Sequence, residues 1–316
     1  ANAIKSKRII ELTSNEAGIV FRKDKTFLLD WMQVYMEAQE SAGKKDGSQI
    51  KIAMRILKDY AGEMVTLDQI DGDFCRGYIT YLLTEYHPKG KDISNYTLHN
   101  YYRALNGALN SAVRKRKMKA NPFNELEKSE KIRKPESMRS YMTIEEVQAL
   151  IDTPMPHEEY EIVKCAYLFS CFCGLRISDI IKLKWNDVFV DRGQYRLAVS
   201  MKKTKEPIYL PLSPEALKWM PERGGKSSED NVFDLPSANT IRMQLKPWAK
   251  AAGISKRFSY HTSRHTFATM MLTLGADLYT VSKLLGHADV KMTQVYAKII
   301  NKKKDEAVNL VNGLFH

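Results

Sequence analysis

The stretch YHTSRHTFAT, residues 260–269, places two histidines and an arginine within five positions at the start of an apolar helical pattern. His261 and Arg264 are three residues apart, so they would share one helical face. His261 and His265 have the spacing of a metal-binding pair, but no HExxH glutamate lies between them and no third ligand has suitable spacing. We therefore favour an anion over a metal ion as the ligand of this face.

Two further stretches carry side chains that could do chemistry. Arg176 follows a glycine in CGLRISDIIKL and, taken alone, would form a structural salt bridge with Asp179. In KLLGHADVKMTQVYAKI, Gly286 ends a helix, His287 lies at the turn, and Tyr296 follows nine residues later. Taken alone, Tyr296 would be a half-buried core tyrosine.

The segment GQYRLAVSMKKTKEPIYLPLS, residues 193–213, changes the period of the pattern. Alternating residues and β-branched flanks on both sides of a basic tip predict a strand, a turn and a second strand. Lys202, Lys203 and Lys205 lie at the tip. Taken alone, they would be a solvated turn.

Together these residues describe one chemistry. Arg176, Arg264, His261 and His287 can hold the non-bridging oxygens of a phosphodiester and stabilise its five-coordinate transition state. Tyr296 can be the nucleophile of a covalent phosphotyrosyl intermediate. A hairpin lysine can protonate the departing 5′ oxygen. Such a set requires no metal ion and no cofactor, because the cationic side chains supply the charge that Mg²⁺ would otherwise supply.

The composition of the chain favours nucleic acid as its partner. The formal net charge of +12 and the pI of about 9.3 favour a polyanion. No apolar run approaches the roughly 18 residues of a membrane-spanning helix, so no membrane partner is expected. The spacings of the cysteines differ from those of a paired zinc clamp and favour free thiols in a reducing cytoplasm. The four residues are Cys75, Cys165, Cys171 and Cys173.

Residues 26–115 predict a helical bundle. In TFLLDWMQVYMEAQ the apolar residues that would form one helical face are at positions 27, 28, 31, 34 and 35. Gly62 ends a second helix, and Ser94 caps the start of a third. Residues 114–139 follow with ten Lys and Arg against four Glu, a net charge of +6. Because two prolines interrupt this segment, we expect a basic linker over 116–140 that lies against phosphates.

A second domain is expected over residues 141–316. Thr143 and Glu146 have capping-box spacing before an apolar run. Helices follow on both sides of the hairpin. The fold class is therefore mainly α: a helical DNA-binding domain, and an α-rich domain with a small antiparallel β-sheet or hairpin. Residues 1–25 remain as an N-terminal extension.

The order of these motifs resembles the tyrosine recombinases of the phage integrase family. That family has Arg, Lys, His-x-x-Arg, His or Trp, and Tyr in sequence. Here the pattern stands as GLRISD, the hairpin lysine, HTSRHTFAT, LLGH and TQVYA, over roughly residues 141–300. The helical region of residues 26–115 resembles the core-binding domain of the family.

The resemblance implies roles for the residues that match. Arg176 and Arg264 would clamp the scissile phosphate. His261 would bind the phosphate and help to manage the tyrosine proton. His287 takes the position that is His or Trp in the family, and Tyr296 would be the nucleophile of a 3′-phosphotyrosyl intermediate.

The resemblance also implies which lysine acts. The family lysine lies eight residues before the proline that closes the second strand, so Pro211 indicates Lys203, with Lys202 in reserve. Asp179 matches an acidic position that orients Arg176 or its neighbours. His265 matches a position that packs inside the motif and braces its helix.

An assembly on DNA is implied as well. Two domains would close around duplex DNA at inverted-repeat core sites, and four protomers would exchange strands, aided by accessory DNA-bending proteins. The tail at residues 302–316 would pack on its own domain or on a neighbouring protomer, and we favour the neighbour. The protein would integrate or excise a mobile element on bacterial nucleoid DNA in the cytoplasm. Residues 1–25 are too short for the arm-binding domain that many mobile-element integrases carry.

Two other functions share part of this pattern. A type IB topoisomerase uses a similar constellation to relax DNA, but LLGH and the small helical N-terminal domain favour a recombinase. A DNA-binding module with a decayed site would bind DNA and form no covalent adduct. Because every family position holds the expected residue type, decay is the weaker interpretation.

Overall fold

The computed structural model describes residues 25–135, 139–200 and 207–297, apart from the side chains at positions 89, 200, 207 and 297. The described residues form two compact units, one on each side of residues 136–138, and each unit has a hydrophobic core of its own. The predicted fold class is confirmed: the chain is mainly α-helical with one small antiparallel sheet. The domain boundaries within this fold stay a prediction.

The first unit is built from four helices. They are α1 (Leu28–Ser41), α2 (Gly47–Ala61), α3 (Gly72–Thr84) and α4 (Asn95–Arg114). The predicted signals at Gly62 and Ser94 are confirmed. Gly62 is the residue after α2 and has a φ of 80°. The Ser94 hydroxyl accepts a hydrogen bond from the backbone N–H of Thr97 at 3.3 Å.

The predicted buried face of α1 was partly wrong. Val34 is 50% exposed, whereas Met32 and Met36 are buried beside Leu28. The indole N–H of Trp31 donates to the backbone oxygen of Ala108 at 2.8 Å and ties α1 to α4. The inward side of α1 thus includes the 28, 32, 36 row together with Trp31, because residues four apart lie along one side of a helix.

Much of the basic segment packs onto the first unit. Phe123, Leu126 and Ile132 are buried in its core. The buried Asn121 amide donates to the side-chain oxygens of Asn106 and Asn110 at 2.7 and 2.9 Å. The buried polar group is thereby satisfied, and the described residues 116–135 follow the surface of this unit instead of crossing solvent freely.

The second unit contains eight helices within the described residues and a three-stranded sheet. The helices are α5 (Ile144–Asp152), α6 (Glu161–Cys173), α7 (Ile177–Ile180), α8 (Pro214–Leu217), α9 (Ala238–Ala251), α10 (Tyr260–Thr273), α11 (Leu278–Leu284) and α12 (Lys291–Ala297). The strands are β1 (Val188–Asp191), β2 (Gln194–Ser200) and β3 (Pro207–Pro211). The predicted capping box at the start of α5 is confirmed, with reciprocal hydrogen bonds between Thr143 and Glu146.

The predicted hairpin is the β2–β3 pair of an antiparallel sheet ordered β1-β2-β3. Leu197 of β2 pairs with Leu210 of β3 and with Val188 of β1. Leu197 and Leu210 are buried, so this register places one face of the sheet on the core of the second unit. The tip, with Lys202, Lys203 and Lys205, lies outside the described residues.

Helix α10 is buried on nearly all sides although it is rich in polar residues. Its polar groups find partners on α6 and on the segment before α5. The Tyr260 hydroxyl donates to the Ala166 oxygen at 2.6 Å, and the hydroxyls of Thr262 and Tyr167 are 2.8 Å apart. These bonds satisfy most of the buried polar atoms of the helix, although the Thr269 hydroxyl has no partner among the described residues, and they fix the rotation of the helix that carries His261, Arg264 and His265.

Gly174 provides a test of the junction between α6 and α10. It has a φ of 73°, and an added Cβ would lie 2.5 Å from a Phe267 ring carbon and 3.1 Å from Leu285. We expect Gly174→Ala to lower the free energy of unfolding by about 2–5 kcal/mol, because a left-handed conformation and overpacking are both penalised. Urea denaturation measures this loss.

Gly193 is the matched control for that substitution. Its φ is 79°, but no atom lies within 4 Å of an added Cβ. Gly193→Ala should therefore lose only about 1–2 kcal/mol. Equal losses for the two variants would show that the predicted clash with Phe267 is relieved at no cost.

Candidate active site

Arg264 lies at the centre of the site and is only 2% exposed. One guanidinium nitrogen donates to the Gly174 oxygen at 2.7 Å, and another donates to the Leu285 oxygen. These carbonyls belong to the residues that follow α6 and α11, where helix ends leave backbone oxygens unpaired and carry partial negative charge. A single buried cation therefore joins three helices of the second unit.

Arg176 stands at the start of α7, two residues after Gly174. Its predicted pairing with Asp179 is confirmed: a guanidinium nitrogen is 3.9 Å from the carboxylate, and the Arg176 backbone N–H donates to the same oxygen at 3.4 Å. Asp179 is buried, and Arg176 is partly exposed. The carboxylate thus fixes the backbone and the charge of Arg176 beside those of Arg264.

His287 follows the glycine that ends α11. Gly286 has a φ of 59°, and the backbone N–H of His287 donates to the Ser282 oxygen at 3.0 Å. The His287 Nδ1 is 2.7 Å from the hydroxyl of the buried Thr293 on α12. The imidazole is therefore oriented by a partner on the same short helix that carries Tyr296.

Tyr296 is 1% exposed, so its ring is more deeply buried than the half-buried tyrosine expected from the sequence. Its hydroxyl oxygen is 2.6 Å from Nδ1 of His265. His265 had been expected only to brace its helix, and His261 had been expected to manage the tyrosine proton. In this structure His265 makes the contact with the hydroxyl, while the ring of His261 packs edge-on against His265. The i, i+4 spacing that suggested a metal-binding pair is the signal that could have indicated this edge-on contact between the two rings.

Arg139 is a site residue that sequence reasoning placed only in the basic linker. Its guanidinium carbon lies 5.8 Å from the centroid of the Tyr296 ring. Nothing in the family pattern marks this position. A signal was nevertheless available, because Arg139 lies only two residues before the predicted start of the second domain at residue 141.

The site is strongly electropositive. Burial and the neighbouring Arg176 lower the pKa of Arg264 to about 10. His261 is exposed at the start of α10, and partial desolvation together with the charges of Arg264 and Arg139 lowers its pKa. Burial, together with His261 and the nearby arginines, lowers the pKa of His265 to about 3. Both histidines are therefore neutral near pH 7, because protonation would add charge to a cluster that is already cationic.

The nucleophile candidate experiences opposing influences. Burial raises the pKa of Tyr296, and the charges of Arg139, Arg264 and Arg176 oppose that rise. A neutral His265 has one ring nitrogen without a proton. If that nitrogen is Nδ1, it can accept the phenol proton across the 2.6 Å contact. The arrangement can thus bind an anion and deprotonate a phenol.

Five of the six predicted catalytic residues lie within the described residues, and all five belong to the second unit. Arg176 and Tyr296 both shift the pKa of Arg264, so these three residues form one electrostatic cluster. His287 contributes to the lowered pKa of His265. Lys203 lies outside the described residues. Among the residues that the structure describes, no three His, Cys, Asp or Glu side chains are arranged to hold a metal ion. No helix in that same part of the chain could span a bilayer.

Comparison with known families identifies the chain. Residues 140–303 match the phage integrase family, and residues 27–133 match the phage integrase SAM-like domain. A tyrosine recombinase of Pseudothermotoga lettingae is 29% identical over 242 residues, which is 69% of this chain and 82% of that protein. The tyrosine recombinase XerD of Vibrio vulnificus is 32% identical over 184 residues, 54% of this chain and 59% of that protein.

Solved structures share the fold. The Tn1549 transposon integrase in complex with transposon right end DNA has a TM-score of 0.68 at 16% identity, over 91% of this chain and 99% of that chain. A lambda integrase dimer bound to a core site has a TM-score of 0.64 at 21% identity, over 86% of this chain and 95% of that chain.

The fold and the site together define a tyrosine-type site-specific recombinase, an enzyme that acts on DNA. The chain belongs to the phage integrase family. The resemblance inferred from the order of the motifs is thereby confirmed.

The burial of His265 predicts a pH-dependent stability. Its pKa is about 3 in the folded chain and about 6.5 in an unfolded one, so the unfolded chain binds more protons between these values. The contribution of the neutral His265 to the free energy of unfolding is therefore fully present above about pH 6.5, and it is lost as the pH falls toward 3. Between pH 8 and pH 4 the free energy of unfolding of His265→Asn should fall less steeply than that of wild type, by up to about 1.4 kcal/mol per pH unit. Denaturation at each pH measures the two slopes.

The exposed His157 of the same unit is the control for this measurement. His157→Asn should keep the wild-type slope. If His265→Asn also keeps that slope, His265 titrates normally and is not held neutral by the site.

Proposed function

We propose that this protein cuts and rejoins duplex DNA at specific sites through a covalent 3′-phosphotyrosyl intermediate, without a metal ion, and so integrates or excises a mobile element. The observation that carries the proposal is the contact of the Tyr296 hydroxyl with His265 inside a cluster that contains Arg264 and Arg176. A phenol poised against a neutral base, next to two arginines, suits attack on a phosphodiester.

The two arginines bind the scissile phosphate in this proposal. Arg264 is held by the Gly174 and Leu285 carbonyls, and Arg176 by Asp179, so both charges are fixed before substrate arrives. Preorganised cations stabilise the additional charge of the five-coordinate transition state at little reorganisation cost. Of the two remaining predicted phosphate ligands, His261 lies one helical turn from Arg264 on α10, and His287 is oriented by Thr293.

The covalent step balances as follows. The Tyr296 oxygen forms a bond to phosphorus, and the bond between phosphorus and the 5′ oxygen breaks. The phenol proton passes to Nδ1 of His265, which lies 2.6 Å away. Lys203 gives a proton to the departing 5′ oxygen. Rejoining reverses these steps with the 5′ hydroxyl of the incoming strand.

The burial of Tyr296 constrains how this step occurs. A ring that is 1% exposed does not reach a phosphate in solution, so the phenol must leave part of its packing when DNA is bound. Helix α12 carries both the nucleophile and Thr293, the partner of His287. Movement of this one element would couple exposure of the phenol to reorientation of His287.

The assembly is proposed on the same basis. One structural neighbour is a lambda integrase tetramer bound to a Holliday junction, and another is the Tn1549 transposon integrase on transposon end DNA. We propose that four copies of this chain act on paired inverted-repeat core sites, with tails exchanged between protomers. Accessory DNA-bending proteins complete the assembly, which acts on nucleoid DNA in the bacterial cytoplasm. The tail lies outside the described residues.

Substitution of Tyr296 separates binding from cleavage. The substrate is a duplex recovered by binding selection from a random-sequence pool and nicked near each candidate junction, so that a cut fragment diffuses away. Tyr296→Phe should bind this DNA within about threefold of wild type and form no covalent complex, because only the nucleophilic oxygen is removed. Gel shift and denaturing gels measure the two properties.

Tyr279 provides the control, because it belongs to the same unit and is 59% exposed. Tyr279→Phe should form the adduct at the wild-type rate. Adduct formation by Tyr296→Phe would move the nucleophile to another residue.

The assignment of Lys203 is tested with a better leaving group. Lys203→Ala should slow cleavage of ordinary DNA by at least about 100-fold, because general-acid catalysis is lost. A sulfur in place of the bridging 5′ oxygen needs little protonation, so cleavage of that substrate should recover. Lys202→Ala and Lys205→Ala are the matched controls in the rate assay. If sulfur rescues one of those variants and not Lys203→Ala, that lysine is the general acid.

A further inference from the structure

The short segment that enters the second unit is fixed to the helix that carries the active site. The Met142 backbone N–H donates to the hydroxyl of Thr266 on α10 at 2.9 Å, in a buried hydrogen bond. The backbone oxygen of Tyr141 accepts from the Lys256 ammonium at 2.7 Å, and Lys256 also pairs with Glu146 on α5 at 2.5 Å. Residues 141 and 142 are thus held from two sides, and the position of Arg139 just before them is constrained.

This anchoring places the Arg139 guanidinium over the Tyr296 ring, with its carbon 5.8 Å from the centroid. A cation over the face of an aromatic ring is attracted by the ring quadrupole. The attraction grows when a phenol becomes a phenolate, because the ring and its oxygen then carry negative charge. The contact therefore favours the deprotonated nucleophile more than the neutral one.

Arg139 also acts on the rest of the site. Among the influences that oppose the rise in the pKa of Tyr296, the Arg139 charge is the largest. The same charge contributes, after burial, to lowering the pKa of His261 and of His265. Its Nε is buried and has no hydrogen-bond partner among the described residues, so a donor remains that can bind a phosphate oxygen or the phenolate.

We propose that Arg139 is a positioning residue of the cleavage reaction: it holds the Tyr296 ring by its guanidinium and stabilises the phenolate as that oxygen attacks phosphorus. This inference rests on the proposed function and adds a third arginine to the site. It also separates Arg139 from the other cations of the basic segment, which would serve DNA binding. The first described residues of the second unit thereby contribute directly to its chemistry.

A contact with the DNA backbone alone is the competing explanation for Arg139. Such a contact would strengthen binding and would leave the rate of the bound complex unchanged. A positioning role predicts that substitution of Arg139 leaves DNA binding nearly unchanged and lowers the rate of the bound complex. The rate of covalent adduct formation at saturating protein, measured against pH on the nicked duplex, therefore distinguishes the two.

Arg139→Gln should bind DNA within about threefold of wild type and form the adduct about 10- to 100-fold more slowly at saturation. Its rise in rate with pH should be displaced to higher pH, because the Tyr296 phenol loses the charge that favours ionisation. Arg139→Lys keeps the charge without the planar guanidinium, so it should be slower than wild type by at least about threefold with little displacement of its pH profile. Thermal unfolding of each variant is measured first, and Arg139→Lys carries the test if Arg139→Gln does not fold.

Arg242 is the matched control, since it is an exposed arginine on α9, outside the basic segment, and donates to the side-chain oxygen of Asn239 at 2.8 Å. Arg242→Gln should keep the wild-type rate and pH profile. A wild-type rate for Arg139→Gln at every pH, or a defect that disappears at saturating protein, would overturn the positioning role while the proposed function stands. The absence of an adduct with wild-type protein on bound DNA would overturn both.

Discussion

The buried guanidinium of Arg264 is the interaction on which the rest of the second unit depends. A charge that is removed from water must be satisfied completely, and Arg264 is satisfied by the backbone oxygens of Gly174 and Leu285. These carbonyls come from the ends of α6 and α11, so the cation holds both helix ends beside α10. Gly174 can make this approach because it adopts a left-handed conformation and has no Cβ to collide with Phe267. The charge that joins these helices is also the one to which the proposed function assigns phosphate binding.

The electrostatics of the site follow from this constraint. Arg264, Arg176 and Arg139 act on the same neighbours, and in the part of the chain that the structure describes Asp179 is the one carboxylate among the groups that shift the pKa values of Arg264, His261, His265 and Tyr296. An anion relieves that repulsion, and a dianionic five-coordinate phosphate relieves it further. The same positive field keeps His265 neutral and disfavours its protonated form, so transfer of the phenol proton to His265 requires the negative charge of a bound phosphate to offset that field.

The sequence predicted most of the elements but fewer of the contacts. Capping residues such as Thr143, Glu146 and Ser94 act locally, so their hydrogen bonds could be predicted from spacing alone. The order of the motifs was sufficient to predict the family and to bring Arg176, Arg264 and Tyr296 together. The role of His265 was missed because it depends on where α12 packs against α10, and that is decided by tertiary contacts. Arg139 was missed for the same reason, and the predicted inward face of α1 was partly wrong because Val34 is exposed while Met32 and Met36 are buried.

The most direct test of this account is identification of the residue that carries DNA after cleavage. Wild-type protein is trapped on the nicked duplex in EDTA, denatured and digested, and the peptide that bears the nucleotide is sequenced by mass spectrometry. The account predicts a 3′-phosphate linked to Tyr296 and a yield that EDTA does not reduce. A nucleotide on any other residue, a yield that requires a divalent metal ion, or no adduct on DNA that is demonstrably bound would contradict it.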